Sequence, residues 1–257
     1  MHFYIEYYPT KYKHYTIEYG GVVMRGRIAS VFCFLIAGCA LAYPNPANAN
    51  GPWTGTFVGG HLGGLQADLA YNRSFLPDFP GFTERVDISD GGFVGGFHLA
   101  AQYQAGDFVF GVEGALSVGG IDTQVPLRLQ GNLGNERAEI STLAALAFRL
   151  GYTFNPNLLA YVKAGYAGAD VTAQLVGISN LAASETGIIE SWEHGLLFGA
   201  GFEFYLSSYL VLGIEYNYYD IGLDDRANNI LTNNNPTQLS DGELTLQSFL
   251  VRISVKL

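Results

Sequence analysis

The stretch that decides the fold is Phe93-Val94-Gly95-Gly96-Phe97-His98-Leu99-Ala100-Ala101-Gln102-Tyr103-Gln104. Phe93, Gly95, Phe97, Leu99, Ala101 and Tyr103 share one parity. Val94, Gly96, His98, Ala100, Gln102 and Gln104 share the other. Period-two alternation marks a β-strand between two different environments, because successive side chains of an extended chain point to opposite faces. Ala105-Gly106-Asp107 then supplies turn residues. The chain resumes with Phe108, Phe110, Val112, Leu116 and Val118 on an apolar face, and Gly111, Glu113, Ala115 and Ser117 opposite.

The same grammar repeats along the chain. Residues 138–152 place Ile140, Thr142, Ala144, Leu146, Phe148, Leu150 and Tyr152 outward, and Glu139, Ser141 and Arg149 inward. Residues 158–171 set Val162, Ala164 and Tyr166 against Lys163. Residues 194–206 set Leu196, Phe198, Ala200, Phe202, Phe204 and Leu206 against Gly199, Gly201, Glu203 and Tyr205. Residues 209–220 set Leu210, Leu212, Ile214, Tyr216 and Tyr218 against Gly213, Glu215, Asn217 and Tyr219. Residues 244–257 set Phe249, Val251, Ile253, Val255 and Leu257 against Ser248, Arg252, Ser254 and Lys256. Residues 53–71 make a first strand whose faces are ambiguous, since Phe57 and Val58 compete for one side.

This gives eight strands of about 10–15 residues. Short turns at 105–107, 155–157 and 207–208 alternate with long polar segments at about 72–92, 119–137, 172–193 and 221–243. Short turns at one end and long loops at the other are the plan of an outer-membrane β-barrel. The expected fold class is therefore all-β: an eight-stranded antiparallel up-and-down transmembrane barrel. A soluble lipocalin-like barrel would carry a polar outer face, whereas here one face of nearly every strand is Phe, Leu, Ile, Val or Tyr. Tyr103, Phe108, Tyr152, Phe204 and Tyr209 gather near the short turns, as an interfacial aromatic girdle requires.

Charge placement agrees. Glu113, Glu203 and Glu215 lie on the polar parity with Arg149, Lys163 and Arg252, at similar depth. A charge facing lipid costs about 2–4 kcal/mol for Arg or Lys at mid-depth. A charge in a dry lumen needs a partner. These six residues are expected to form a structural charge network that fills the barrel interior.

Charged residues make up 14% of the chain, against roughly 25% in ordinary soluble domains, and aromatics 14%. A net charge of −10 argues against a nucleic-acid partner, which needs a basic footprint. The two cysteines, Cys33 and Cys39, supply neither a disulfide framework nor a Cys-rich zinc site. They fall in a segment that reads as a signal peptide over residues 24–49: Arg25 and Arg27, an apolar run from Ile28, then Ala47-Asn48-Ala49 as the favoured cleavage site. Ile36-Ala37-Gly38-Cys39 leaves lipoprotein processing at Cys39 as an alternative. Met24 stands directly before the basic region, so residues 1–23 read as a gene-start over-extension, with a genuine extension as the competing reading. The barrel domain is placed at residues 50–257.

With this pattern in hand, four segments resemble a known family. Trp53-Thr54-Gly55-Thr56-Phe57-Val58-Gly59-Gly60 looks like the opening strand of the outer membrane immunogenic protein or porin-family surface-antigen barrels of Gram-negative bacteria. Phe108-Val109-Phe110-Gly111-Val112-Glu113-Gly114 is similar to their third strand. Arg149-Leu150-Gly151-Tyr152 with Tyr161-Val162-Lys163-Ala164-Gly165 is similar to their central hairpin, and Val251-Arg252-Ile253 to their last strand. The resemblance spans residues 53–257. It implies an OmpA-type barrel in the bacterial outer membrane, inserted by the outer-membrane assembly machinery, with antigenic surface loops. Such chains often end in Phe, and this one ends in Leu257. Some relatives bind hemin, but no hemin motif carries over.

The expected function is a non-enzymatic structural and surface-antigen barrel, plugged by its charge network. The alternatives are a receptor for hemin or another ligand, and a small diffusion pore. No catalytic, metal or cofactor site is expected. His61, His98 and His194 do not converge in sequence, no nucleophile-elbow pattern is present, and neither Ser117 nor Ser248 has a sequence-evident His partner. Expected partners are outer-membrane lipid and lipopolysaccharide, the assembly machinery and a host-surface ligand. The long segments hold Asp78, Glu84, Asp87, Asp90, Asp170, Glu185, Glu190, Glu193, Asp224, Asp225, Asp241 and Glu243, which read as solvated or as sharing divalent cations with lipopolysaccharide. Asn228, Asn229, Asn233, Asn234 and Asn235 read as a polar, flexible, host-facing stretch.

Overall fold

A computed structural model describes residues 16–19, 22–25, 51–75, 83–129, 132–176, 188–223, 226–231 and 235–257. Those residues form eleven strands and no helix. β1 (Thr16–Tyr19) and β2 (Val22–Arg25) make a separate antiparallel hairpin. Residues 26–50, which hold the apolar run of the expected leader and both cysteines, lie outside the described residues, as do Asp78, Glu185, Asp224, Asp225, Asn233 and Asn234.

The barrel is built from β3 (Gly55–Phe75), β4 (Thr83–Ala105), β5 (Phe108–Leu129), β6 (Asn132–Asn155), β7 (Leu158–Val176), β8 (Ile188–Tyr205), β9 (Leu210–Leu223) and β11 (Asn235–Lys256). Each pairs antiparallel with its neighbours. β11 closes the cylinder by pairing with both β3 and β9. Closure leaves no lipid-facing edge, which a bilayer would not tolerate.

The expected strand lengths need correction. A tilted strand crosses a bilayer in about 9–11 residues, yet these strands run 14 to 24 residues. Much of the four expected loops continues as paired strand. Arg85, Asp87 and Asp90 lie on β4, and Asp122 on β5. The fourth segment holds a further strand, β10 (Arg226–Leu231), which pairs with the start of β11. Beyond the membrane the outer face turns polar, so these extensions lose the contrast by which a strand is recognised.

The apolar parity faces out along the spanning region. Phe93, Phe97, Phe148 and Leu62 are among the most exposed side chains. Phe57 turns inward and Val58 outward, which resolves the first strand. The girdle residues Phe108 and Tyr152 meet edge to face at 5.5 Å.

One stretch of β6 departs from its expected faces. Register shifts fall between Val118 and Ile121 on β5 and between Ile140 and Thr142 on β6. Gly119 takes φ +114°, and a Cβ there would lie 2.6 Å from the Phe93 carbonyl oxygen. The bulge reverses the parity of β6 beyond it. Ile140, expected outward, is buried with Leu65, Val94, Ile121 and Leu143. Glu139 and Ser141, expected inward, are instead partly exposed: Glu139 approaches Arg137 at 3.9 Å, and the Ser141 hydroxyl donates to Asp170.

Candidate functional site

The lumen is filled in layers. At the short-turn end, Trp53, Phe57, Val109, Leu159, Tyr161, Tyr205 and Val211 form a buried cluster with Ala100. The charged layer comes next. Glu113 on β5, Arg149 on β6, Lys163 on β7, Glu203 on β8, Glu215 on β9 and Arg252 on β11 are each 2–5% exposed.

Their contacts form one connected set. Arg149 Nη2 donates to Glu203 Oε1 at 2.7 Å, and Nη1 to Glu113 Oε2 at 3.3 Å. Lys163 Nζ donates to Glu113 Oε1 at 2.9 Å and to Glu215 Oε1 at 2.8 Å. Arg252 joins the same two carboxylates, donating through Nη2 to Glu113 and through Nη1 to Glu215. Three carboxylates face three cations, so the layer is formally neutral. That balance lets it sit in a low-dielectric lumen, where an unpaired ion would be costly.

Sequence parity selects these residues, and the register decides who meets whom. Arg149 stands opposite Lys163 across β6 and β7, yet both reach past each other to Glu113. Room for this comes from glycine. Lys163 pairs with Gly199, where a Cβ would lie 2.9 Å from Lys163 Cε and 2.5 Å from Asn217 Oδ1. Glycine within a strand here allows close approach of long side chains.

Two members of the layer were not singled out from sequence. The Tyr161 hydroxyl donates to Glu215 Oε2 at 2.6 Å, and the Arg149 guanidinium lies 3.8 Å from the centre of its ring. Asn217 Nδ2 donates to Glu215 Oε1 at 3.0 Å and to Ser248 Oγ at 3.2 Å. Tyr161 reads as an ordinary inward residue until register places it against Glu215, whereas Asn217 shares a strand face with Glu215 two residues away.

Alongside lies a buried polar chain. Ser117 Oγ is 2.8 Å from His61 Nε2, His61 Nδ1 is 3.4 Å from His98 Nδ1, and His98 Nε2 is 2.8 Å from Ser254 Oγ. Ser117, which has no sequence-evident histidine partner, thus meets one in space. Ser117 reaches His61 across two strand pairings that sequence does not reveal, while Ser248 meets Asn217. His194 is exposed and stacks on Tyr166 at 5.5 Å. Among the described residues, no three His, Cys, Asp or Glu side chains converge as a metal site.

Toward the long-strand end the filling becomes aliphatic: Leu65, Val94, Ile121, Leu143, Leu197, Ile221, Leu244, Leu246 and Leu250 are buried together. A cavity of about 20 Å³ remains there, lined in part by Ala67, Leu69, Ile121, Ile140 and Leu244. That is room for about one water.

A closed eight-stranded barrel with an apolar belt, an aromatic girdle and a filled lumen defines an outer-membrane β-barrel. A model of the outer membrane protein beta-barrel domain matches residues 31–237, and the chain belongs to that family. It is a protein of the bacterial outer membrane. Among solved structures it is similar to Ail, the attachment invasion locus protein of Yersinia pestis, at 13% identity and TM-score 0.39, covering 79% of this chain and 99% of that one. It is similar to OprG from Pseudomonas aeruginosa at 14% identity and TM-score 0.47, covering 79% and 96%. It is also similar to the outer membrane protease OmpT from Escherichia coli at 7% identity and TM-score 0.46, covering 84% and 99%. A comparison with curated protein sequences finds no match.

Proposed function

We propose that this chain is a non-enzymatic structural and surface-interaction barrel whose lumen is closed to solutes. The observation that carries this is the charged layer: six ionic side chains, nearly inaccessible to solvent, paired across the whole interior. An eight-stranded barrel is just wide enough for side chains to fill. A pore would need these pairs to part, and a hydrolase would need its Ser–His pair to open onto a cleft, whereas His61 and Ser117 are buried. The strands run well beyond the length that spans a bilayer, and the part that stands clear of the membrane is where a surface antigen meets host ligands. Lipopolysaccharide and the assembly machinery are the partners such a barrel would meet in its membrane.

Planar-bilayer recording of the purified barrel tests this reading. Discrete conductance steps are expected to be absent at neutral pH. Steady ohmic steps that persist after repurification would overturn the closed-lumen reading. A hemin titration of the folded barrel, followed by a Soret shift, separates the receptor alternative.

A further inference from the structure

The segment just before β3 is built as a stopper. Gly51-Pro52-Trp53-Thr54 makes a tight turn closed by the Thr54 N–H donating to the Gly51 carbonyl at 3.2 Å. Proline as its second residue pre-sets the backbone for such a turn. The turn carries Trp53 into the short-turn mouth of the barrel, where it is 0% exposed. Its ring lies 4.5 Å from that of Tyr205 and 6.4 Å from that of Phe57. The indole N–H has no acceptor among the described residues, so ring burial must offset that loss.

The anchors are spread around the cylinder. Gln104 on β4 accepts the Trp53 N–H through Oε1 at 3.1 Å, and its own N–H donates to Thr54 Oγ1 at 2.9 Å. On the other side, the Tyr205 hydroxyl of β8 and Lys256 Nζ of β11 converge on the Pro52 carbonyl at 2.7 and 2.6 Å. β8 and β11 are separated by β9, and β11 is separated from β4 by β3. These groups face one another only when β11 has paired with both β3 and β9.

We propose that residues 51–54 are a stopper that docks into the short-turn, periplasmic mouth after the barrel has closed, and seals it against water. None of the six ionic residues of the charged layer is among these anchors, so the two readings stand or fall separately. Trp53 is its own reporter, since the chain's other tryptophan, Trp192, sits toward the far end and can be replaced by Phe.

The test follows Trp192→Phe protein during refolding from urea into detergent micelles. Gel mobility without heating reads barrel closure, and iodide quenching reads access to Trp53. Quenching is expected to fall several-fold, with or after the mobility shift. Protection of Trp53 before the shift, or full quenching in the closed barrel, would overturn the proposal. In a second protein, Tyr205→Ser and Gln104→Ala are added to remove anchors from both sides. The barrel should still close while Trp53 stays accessible, and equal protection in the closed form would also overturn the proposal. Should that protein not close, the order of events in the Trp192→Phe barrel still decides. Conductance of the second protein, with its stopper undocked, reports on the charged layer alone.

Discussion

Two arginine–carboxylate contacts set one chemistry in two environments. Arg149 and Glu203 meet at 2.7 Å with side chains 3% and 4% exposed. Arg137 and Asp122 meet on the extensions of β6 and β5 away from the short turns, with side chains 37% and 50% exposed. Arg137 also donates through Nε to Asp122 Oδ1 at 2.6 Å, so the rim pair has the better hydrogen-bond geometry. Its Asp122 carboxyl is held below the ordinary carboxylate range by that bond. Geometry alone would rank the rim pair first. Burial reverses the ranking, because water replaces the partner at the rim and nothing replaces it in the lumen.

The largest effect is expected at Glu113, which accepts from Arg149, Lys163 and Arg252. Glu113→Ala strands buried cations and should cost about 3–5 kcal/mol or more. The check is the urea midpoint of the barrel in micelles. Leu197→Ala, in the aliphatic layer, should come next at about 2–5 kcal/mol from lost burial and a residual cavity. Should it exceed Glu113→Ala, stability would reside in the aliphatic filling rather than in the charges. Gly119→Ala forces a side chain into a left-handed backbone beside the Phe93 carbonyl and should cost about 1–3 kcal/mol. An unchanged midpoint there would mean that the bulge relaxes freely. Arg137→Ala should leave the midpoint nearly unchanged, and 1 M salt should erase any difference from the unsubstituted protein. A large loss at Arg137 would remove the contrast between lumen and rim.

The fold was legible wherever one face is apolar and the other is not. Phe93 to Gln104 shows its faces because lipid and lumen demand different side chains. Residues 83–92 hide theirs, because Arg85, Asp87 and Ser89 face water as a loop would. Ile140 was assigned to the wrong face because a bulge shifts parity by one residue, and the pair Gly119-Gly120 was its only trace in the sequence. Six charges on the polar parity could be picked out strand by strand. Their pairing could not, since Glu113 and Arg252 are 139 positions apart and meet through closure of the cylinder. Tyr161 escaped for the same reason, since it reaches Glu215 past an intervening strand. The His61–His98 contact joins neighbouring strands, and it escaped because the pairing register of β3 and β4 is not written in either strand alone.

The dryness of the charged layer is tested most directly by a double-mutant cycle on Arg149 and Glu203, read as unfolding midpoints in one micelle system. Removing Arg149 alone leaves Glu203 buried without the guanidinium it meets at 2.7 Å. Adding Glu203→Ala should then cost less than it does in the unsubstituted barrel, with a coupling of about 0.5–3 kcal/mol. Additive losses, within about 0.3–0.5 kcal/mol, would show that water solvates each ion separately, and the lumen would not be closed.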